Sequence, residues 1–123
     1  MLTLVVPAHR SDWASLQRFL QSVAKQDYPK ESLHVLVVTE GNSEAAKAYG
    51  INRVRTPLLG LFCSDNVLVD VSTLSTLASV VTLDPTLDGA FPSHYAYVRN
   101  DTALNRYFAL LGANDPLCWW LGK

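Results

Sequence analysis

The stretch of residues 58–66 constrains the fold of this chain more than any other. It runs from Leu58 to Phe62 without a polar side chain and turns polar at Ser64, Asp65 and Asn66. An apolar run of this length, followed by turn-forming residues, is typical of a strand buried on both faces of a parallel sheet. Ligands of open α/β sheets bind beyond the carboxyl ends of such strands, where the Asp65 carboxylate could hold Mg²⁺ or Mn²⁺. The alternative is that Asp65 and Asn66 only cap a turn or a helix.

Strand and helix patterns alternate before and after this stretch. Residues 2–6 and 33–38 are further apolar strands, and Pro7 ends the first of them. Helices are predicted after the three strands, the first from Trp13 to around Gln26-Asp27 and the others at 43–50 and 71–83. Regular alternation of this kind implies a parallel sheet with right-handed crossovers. The predicted fold class is therefore α/β and Rossmann-like, with helices on both faces of a mostly parallel sheet.

Smaller signals set the expected ends of the helices. Ser11 or Asp12 is expected to cap the first helix, whose apolar stripe combines Trp13, Leu16, Leu20 and Val23. Gly50 is expected to end or interrupt the second helix, because glycine is the usual residue just past a helix end.

The last third of the chain gives weaker patterns. A fourth strand is expected at residues 87–91, a weaker fifth at 95–98, and a final helix beginning from an Asp101 cap. The chain ends in an aromatic stretch that includes Trp119 and Trp120, which we expect further protein to cover. Residues 1–123 are thus expected to be one domain, incomplete at its C-terminus and belonging to a longer protein.

Charge and cysteine usage exclude several classes. Ten basic and eleven acidic residues are interspersed, which gives a formal net charge of −1 and argues against a nucleic-acid-binding surface. Cys63 and Cys118 lie far apart in apolar surroundings, so both are expected to be buried, reduced thiols of a cytoplasmic protein. No apolar run reaches the length of a membrane span, although attachment of a parent protein to the inner face of a membrane stays open.

Three polar breaks follow the three predicted strands, at residues 7–10, 39–43 and 64–66. The carboxyl ends of parallel strands lie at one edge of the sheet, so His9 and Glu40 are expected to meet Asp65 in one cleft. The alternative is that each break is an ordinary polar loop.

In order and spacing, the segments 4–10, 26–29, 37–43 and 62–66 resemble the family 2 glycosyltransferases of the GT-A fold. That family usually shows a strand ending Pro-Ala-Tyr-Asn, a helix ending near Gln-Asp-Tyr-Pro, a strand ending Asp-Asp-Gly-Ser, and a later Asp-x-Asp. The resemblance covers roughly residues 2–85. It implies the nucleotide-sugar-binding part of an inverting transferase, with a UDP- or dTDP-sugar as the favoured donor and an unknown acceptor.

The resemblance also implies residue roles. Pro7, Ala8 and the His9 ring would flank the nucleotide base, and Glu40 would accept a hydrogen bond from it. Lys47 would neutralise a diphosphate oxygen. Asp65 would hold the Mg²⁺ or Mn²⁺ that stabilises the leaving diphosphate, with Ser64 beside it among the nucleotide-binding residues.

Several positions depart from the family pattern. Cys63 replaces the first acid of Asp-x-Asp, Thr39 replaces an acid, and Ala48 replaces an asparagine. In this family a carboxylate late in the chain acts as the catalytic base, and the one candidate for it here is Asp115. Its Asn-Asp-Pro sequence is equally well explained by a turn. A non-catalytic or degenerate nucleotide-binding domain is therefore the alternative function. A phospho-acceptor signalling domain is disfavoured, because residues 7–10 contain no acid.

Overall fold

The computed structural model describes residues 1–92, 96 and 99–111. Its strands are β1 (Leu2–Pro7), β2 (Leu33–Val38) and β3 (Leu58–Leu61); its helices are α1 (Trp13–Ala24), α2 (Ser43–Ile51), α3 (Thr73–Leu83) and α4 (Ala103–Leu111). The chain divides into two compact units, Met1–Ala78 and Ser79–Lys123. The three strands all belong to the first unit. The prediction that the chain forms a single domain stays a prediction.

The three strands form one parallel sheet in the order β2-β1-β3. Val5 of the central strand lies opposite Leu36 of β2 and Leu61 of β3. All six residues of β1 are buried, as expected of a strand covered on both faces. The predicted α/β class with a parallel sheet is confirmed, and the carboxyl ends of the three strands lie at one edge.

The two faces of β1 are covered by different helices. Leu2, Leu4 and Val6 point to one side, where they join a core cluster that includes Leu16 and Phe19 of α1. On the other side, α2 packs against β1 and β2, and Gly50 lies against Val5. Helices therefore cover both faces of the central strand, as the alternating pattern predicts.

Gly50 does not end α2, which continues to Ile51. The residue is buried, and a Cβ atom added to it would overlap Cγ1 of Val5 and approach Cγ2 of Val38 at 3.4 Å. The glycine therefore allows the helix to lie close to the sheet, and the expectation that it terminates or interrupts the helix is wrong.

A buried glutamine joins the end of α1 to the start of α3. Gln26 is 3 % exposed. Its Nε2 donates to the carbonyl oxygen of Asp70 at 2.8 Å, and its Oε1 accepts from the backbone N–H of Leu74 at 3.0 Å. One carboxamide thus satisfies two main-chain groups that lie more than forty residues along the chain.

Burial differs from the sequence expectation in β3 and α1. Leu59 and Leu61 are 43 % and 46 % exposed, so β3 is not buried on both faces. These side chains lie opposite Thr3 and Val5, on the face where α2 packs against β1 and β2 rather than against β3. Trp13 is 63 % exposed, and the buried stripe of α1 consists of Leu16, Phe19 and Val23.

The predictions for the last third of the chain are partly wrong. Residues 87–92 contain no strand, whereas most of residues 95–98 lie outside the described part. The final helix exists, and the Oγ1 atom of Thr102 accepts from a first-turn N–H, that of Asn105, at 3.1 Å. None of the helices that the structure describes could span a lipid bilayer.

Candidate functional site

A cavity of about 360 Å³ opens at the carboxyl edge of the sheet. Three short segments contribute most of its lining: the residues after β1, the residues around the start of α2, and the residues after β3. These are Pro7, Ala8 and His9; Gly41, Asn42 and Ser43; and Cys63, Ser64 and Asp65, with Asp12, Ser15 and Ala46 completing the wall. The three polar breaks singled out in the sequence therefore border one cavity.

Main-chain hydrogen bonds continue past the strand ends and hold two of these segments in place. The N–H of Ala8 donates to the carbonyl of Val38 at 2.9 Å, and the N–H of Phe62 donates to the carbonyl of Val5 at 3.1 Å. Because both bonds extend the parallel ladders, the loops after β1 and β3 leave the sheet from fixed positions.

The segment after β1 is organised by a reciprocal cap. His9 donates its backbone N–H to Oδ2 of Asp12 at 3.0 Å, and its Nδ1 accepts from the backbone N–H of Ser11 at 3.3 Å. The Ser11 hydroxyl lies 3.0 Å from Oδ1 of Asp12 and 2.9 Å from Nδ1 of His9. The pKa of Asp12 is lowered, mainly by the His9 N–H and then by the Ser11 hydroxyl, because both hydrogen bonds favour the carboxylate.

The expected cap of α1 is therefore replaced by a different arrangement. Asp12 occupies the position before Trp13, but its side chain makes no capping bond to α1. Its carboxylate turns back to His9 and closes the short 3-10 turn Arg10–Asp12. The expectation that Ser11 or Asp12 caps α1 is therefore wrong, because the Asp12 carboxylate is used in the cap of the preceding turn.

The start of α2 supplies backbone donors to the same cavity. Asn42 caps the helix, its Oδ1 accepting from the N–H of Ala45 at 2.9 Å. Gly41 precedes it with φ of +80°, a left-handed conformation that glycine adopts without strain. The N–H groups of Ser43 and Glu44 have no hydrogen-bond partner among the described residues. The positive end of the helix macrodipole therefore borders the cavity.

Neighbouring residues in the segment after β3 have different roles. Oδ1 of Asn66 accepts from the N–H of Cys63 at 3.0 Å, and the N–H of Asn66 donates back to the Cys63 carbonyl at 3.1 Å. Asn66 thus forms the turn. Ser64 is buried, whereas Asp65 is exposed on the cavity wall and its carboxylate has no partner in the described part of the chain.

Cys63 is exposed and carries a free thiol. The expectation of a buried thiol is wrong at this position, because the turn after β3 brings the residue out of the sheet to the cavity wall. Cys118 and the candidate base Asp115 lie outside the described residues, so their predicted roles stay predictions.

Two predicted nucleotide-binding residues do not line the cavity. Glu40 is exposed beside it, immediately before Gly41. Lys47 donates from Nζ to Oε1 of Glu44 at 2.7 Å, and this bond is the main reason that the pKa of Lys47 is raised. The structure therefore groups Pro7, Ala8 and His9 with Ser64 and Asp65, but leaves Glu40 and Lys47 outside this group.

The described residues do not form a metal site on their own, because no three His, Cys, Asp or Glu side chains among them come together as ligands. Mg²⁺ is often held by one or two carboxylates with substrate phosphates and water. Asp65 fits that smaller role, in which a bound diphosphate would supply further oxygen ligands.

Asp12, Asn42 and Ser43 line the cavity, although none of the three was predicted individually to be a site residue. The signal for Asn42 was present, since a Gly-Asn-Ser sequence before good helix formers is a typical helix start.

Comparisons of this chain with protein-family models, curated protein sequences and solved structures give no match.

Proposed function

We propose that the cavity binds a nucleoside diphosphate sugar and that this chain is the donor-binding part of a glycosyltransferase of the GT-A type. The observation that carries the proposal is the convergence of the segments after β1 and β3 with the start of α2 around one cavity. Its position at the carboxyl edge of a parallel sheet is where such sheets bind nucleotides. A volume of about 360 Å³ is within the usual range for small-molecule sites.

The diphosphate is proposed to lie at the start of α2. The free N–H groups of Ser43 and Glu44 and the helix macrodipole both favour an anion there. Asn42 contributes indirectly, because its side chain is committed to the Ala45 N–H and fixes the first turn. Lys47 is engaged with Glu44, so the backbone takes the larger share of the anion binding in this proposal.

Asp65 is proposed to face the diphosphate through a divalent cation. A lone carboxylate and a phosphate repel each other, so Mg²⁺ or Mn²⁺ between them would turn that repulsion into attraction. When bound, the cation would stabilise the negative charge that develops on a leaving diphosphate. The nucleoside would then extend toward Pro7, Ala8 and His9 at the end of β1.

Titration calorimetry with UDP, dTDP and GDP, each with and without Mn²⁺, tests the proposal. We expect binding that depends on Mn²⁺, with a loss of about tenfold or more in the Asp65→Asn variant. The matched control is Glu31→Gln, which removes an exposed carboxylate outside the cavity lining. Binding that is equal with and without Mn²⁺, or unchanged in Asp65→Asn, would contradict the metal role; no binding of any nucleotide would reject the proposal.

A second candidate is a nucleotide-binding module without transfer chemistry. It is favoured by the replacement of the first Asp-x-Asp acid by Cys63 and by the pairing of Lys47 with Glu44. Nucleotide release from a UDP-sugar distinguishes the two candidates. Steady release of UDP, with or without an added acceptor, supports the transferase, whereas tight binding with no release supports the module.

A further inference from the structure

One ring nitrogen of His9 is already engaged within its own loop. Nδ1 lies 3.3 Å from the backbone nitrogen of Ser11 and 2.9 Å from the Ser11 Oγ. The backbone N–H can only donate, so this contact needs an unprotonated Nδ1 and favours the neutral tautomer with its proton on Nε2. The opposite tautomer would lose this contact and donate from Nδ1 to the Ser11 Oγ instead. Nε2 has no hydrogen-bond partner in the described part of the chain. It is therefore the ring nitrogen that remains available to a ligand in the cavity that His9 lines.

Protonation of the ring does not remove this donor. In the imidazolium form both nitrogens carry hydrogen, and Nδ1–H can donate to the Ser11 Oγ. That hydroxyl can in turn donate to Oδ1 of Asp12 at 3.0 Å. The Oδ2 atom of the same carboxylate accepts the His9 backbone N–H, which keeps Asp12 in place in either form. Nε2–H is therefore a donor in both protonation states.

We infer that His9 determines ligand specificity as a hydrogen-bond donor, presenting Nε2–H to an oxygen atom of the bound molecule. The inference rests on the proposed function, and it selects ligands that carry an acceptor oxygen at this position. In a nucleoside diphosphate that oxygen belongs either to a phosphate or to a carbonyl of a pyrimidine base. A ligand presenting an N–H or an apolar edge there is disfavoured, because it would leave the His9 donor unpaired.

The tautomer can be tested without any ligand. Long-range ¹H–¹⁵N NMR correlations of the neutral His9 ring, recorded at alkaline pH, should show the proton on Nε2. The Ser11→Ala variant keeps the backbone N–H and removes the hydroxyl, so the same tautomer is expected there. A major population with the proton on Nδ1 in the wild-type protein would overturn the inference.

The role in binding can be tested with two matched variants. In His9→Gln the side-chain amide nitrogen takes the place of Nε2, whereas in His9→Asn it takes the place of Nδ1. We expect UDP affinity in the presence of Mn²⁺ to stay within about threefold of wild type for His9→Gln and to fall about tenfold to a hundredfold for His9→Asn. Parallel titrations with uridine and with inorganic pyrophosphate show whether the affected oxygen belongs to the base or to the phosphates.

The outcomes separate this inference from the proposed function. If wild-type protein binds UDP and the two His9 variants bind it equally well, His9 is not a specificity-determining donor, while the nucleotide site stands. If the wild-type protein binds none of the three probes, both proposals are overturned.

Discussion

Replacement of Gln26 by methionine should destabilise the protein more than any equally conservative change on the surface of α1. Methionine keeps the length and most of the volume of glutamine but has neither the amide donor nor the carbonyl acceptor. The change therefore removes the 3.0 Å bond of the Leu74 N–H and leaves that group without its acceptor. The Asp70 carbonyl loses its 2.8 Å bond from Gln26 but still accepts from the hydroxyl of Thr73 at 2.8 Å. The packing of the side chain is otherwise retained.

The magnitude follows from those two groups. The Asp70 carbonyl keeps its bond from the Thr73 hydroxyl, so the loss of the Gln26 bond costs about 0.5–1.5 kcal/mol there. The Leu74 N–H belongs to the first turn of α3, where loss of a capping acceptor costs about 0.5–2 kcal/mol. We expect the free energy of unfolding to fall by about 1–3 kcal/mol in total.

Urea unfolding followed by circular dichroism measures this difference, provided that the m-value is unchanged. The matched control is Gln21→Met, because Gln21 is an exposed glutamine on the same helix. We expect the control to change stability by less than about 0.5 kcal/mol. A Gln26→Met variant as stable as the control would refute the assignment of two hydrogen bonds to this side chain.

Two further predictions concern the sheet and the loop after β1. Gly50→Ala should destabilise the protein by about 1–3 kcal/mol, because the new methyl group overlaps Val5. Gly89→Ala is the control, since a Cβ atom added to Gly89 would have no atom within 4 Å and should not destabilise the protein. Urea unfolding measures the stability of both variants. Asp12 has a lowered pKa in the folded state, so its stabilising contribution is present above the unfolded pKa of about 4 and is lost as the pH falls through the folded value. Between about pH 5 and pH 2, the Asp12→Asn variant should therefore lose less stability than the wild-type protein. Thermal unfolding at several pH values measures this loss, and an equal loss in the two proteins would contradict the role of Asp12.

The sequence was informative where one local pattern decided the structure. β1 and β2 lie at the predicted positions because apolar, β-branched runs leave few alternatives, and Asn42-Ser43 marks the start of α2 by its capping chemistry. The cavity edge was predictable for the same reason, since it follows from parallel strands that end in polar residues. Asp65 is on the cavity wall, as expected.

Features that depend on strand order or on distant partners could not be predicted in this way. An apolar run does not say whether a strand is central or at an edge, which is why Leu59 and Leu61 were expected to be buried. Gly50 looks like a helix terminator until the position of Val5 is known. The hydrogen-bond partners of Gln26 lie more than forty residues further along the sequence, and no short sequence motif predicts them.

The strand order β2-β1-β3 has a consequence for the chain during its synthesis. The strand that leaves the ribosome first is the one that must end up between the other two. Residues 2–7 therefore remain without a neighbouring strand until residue 38 has emerged, and one edge of this strand stays unpaired until residue 61 is available. We expect this apolar segment to be the part of the nascent chain that most needs protection by a chaperone.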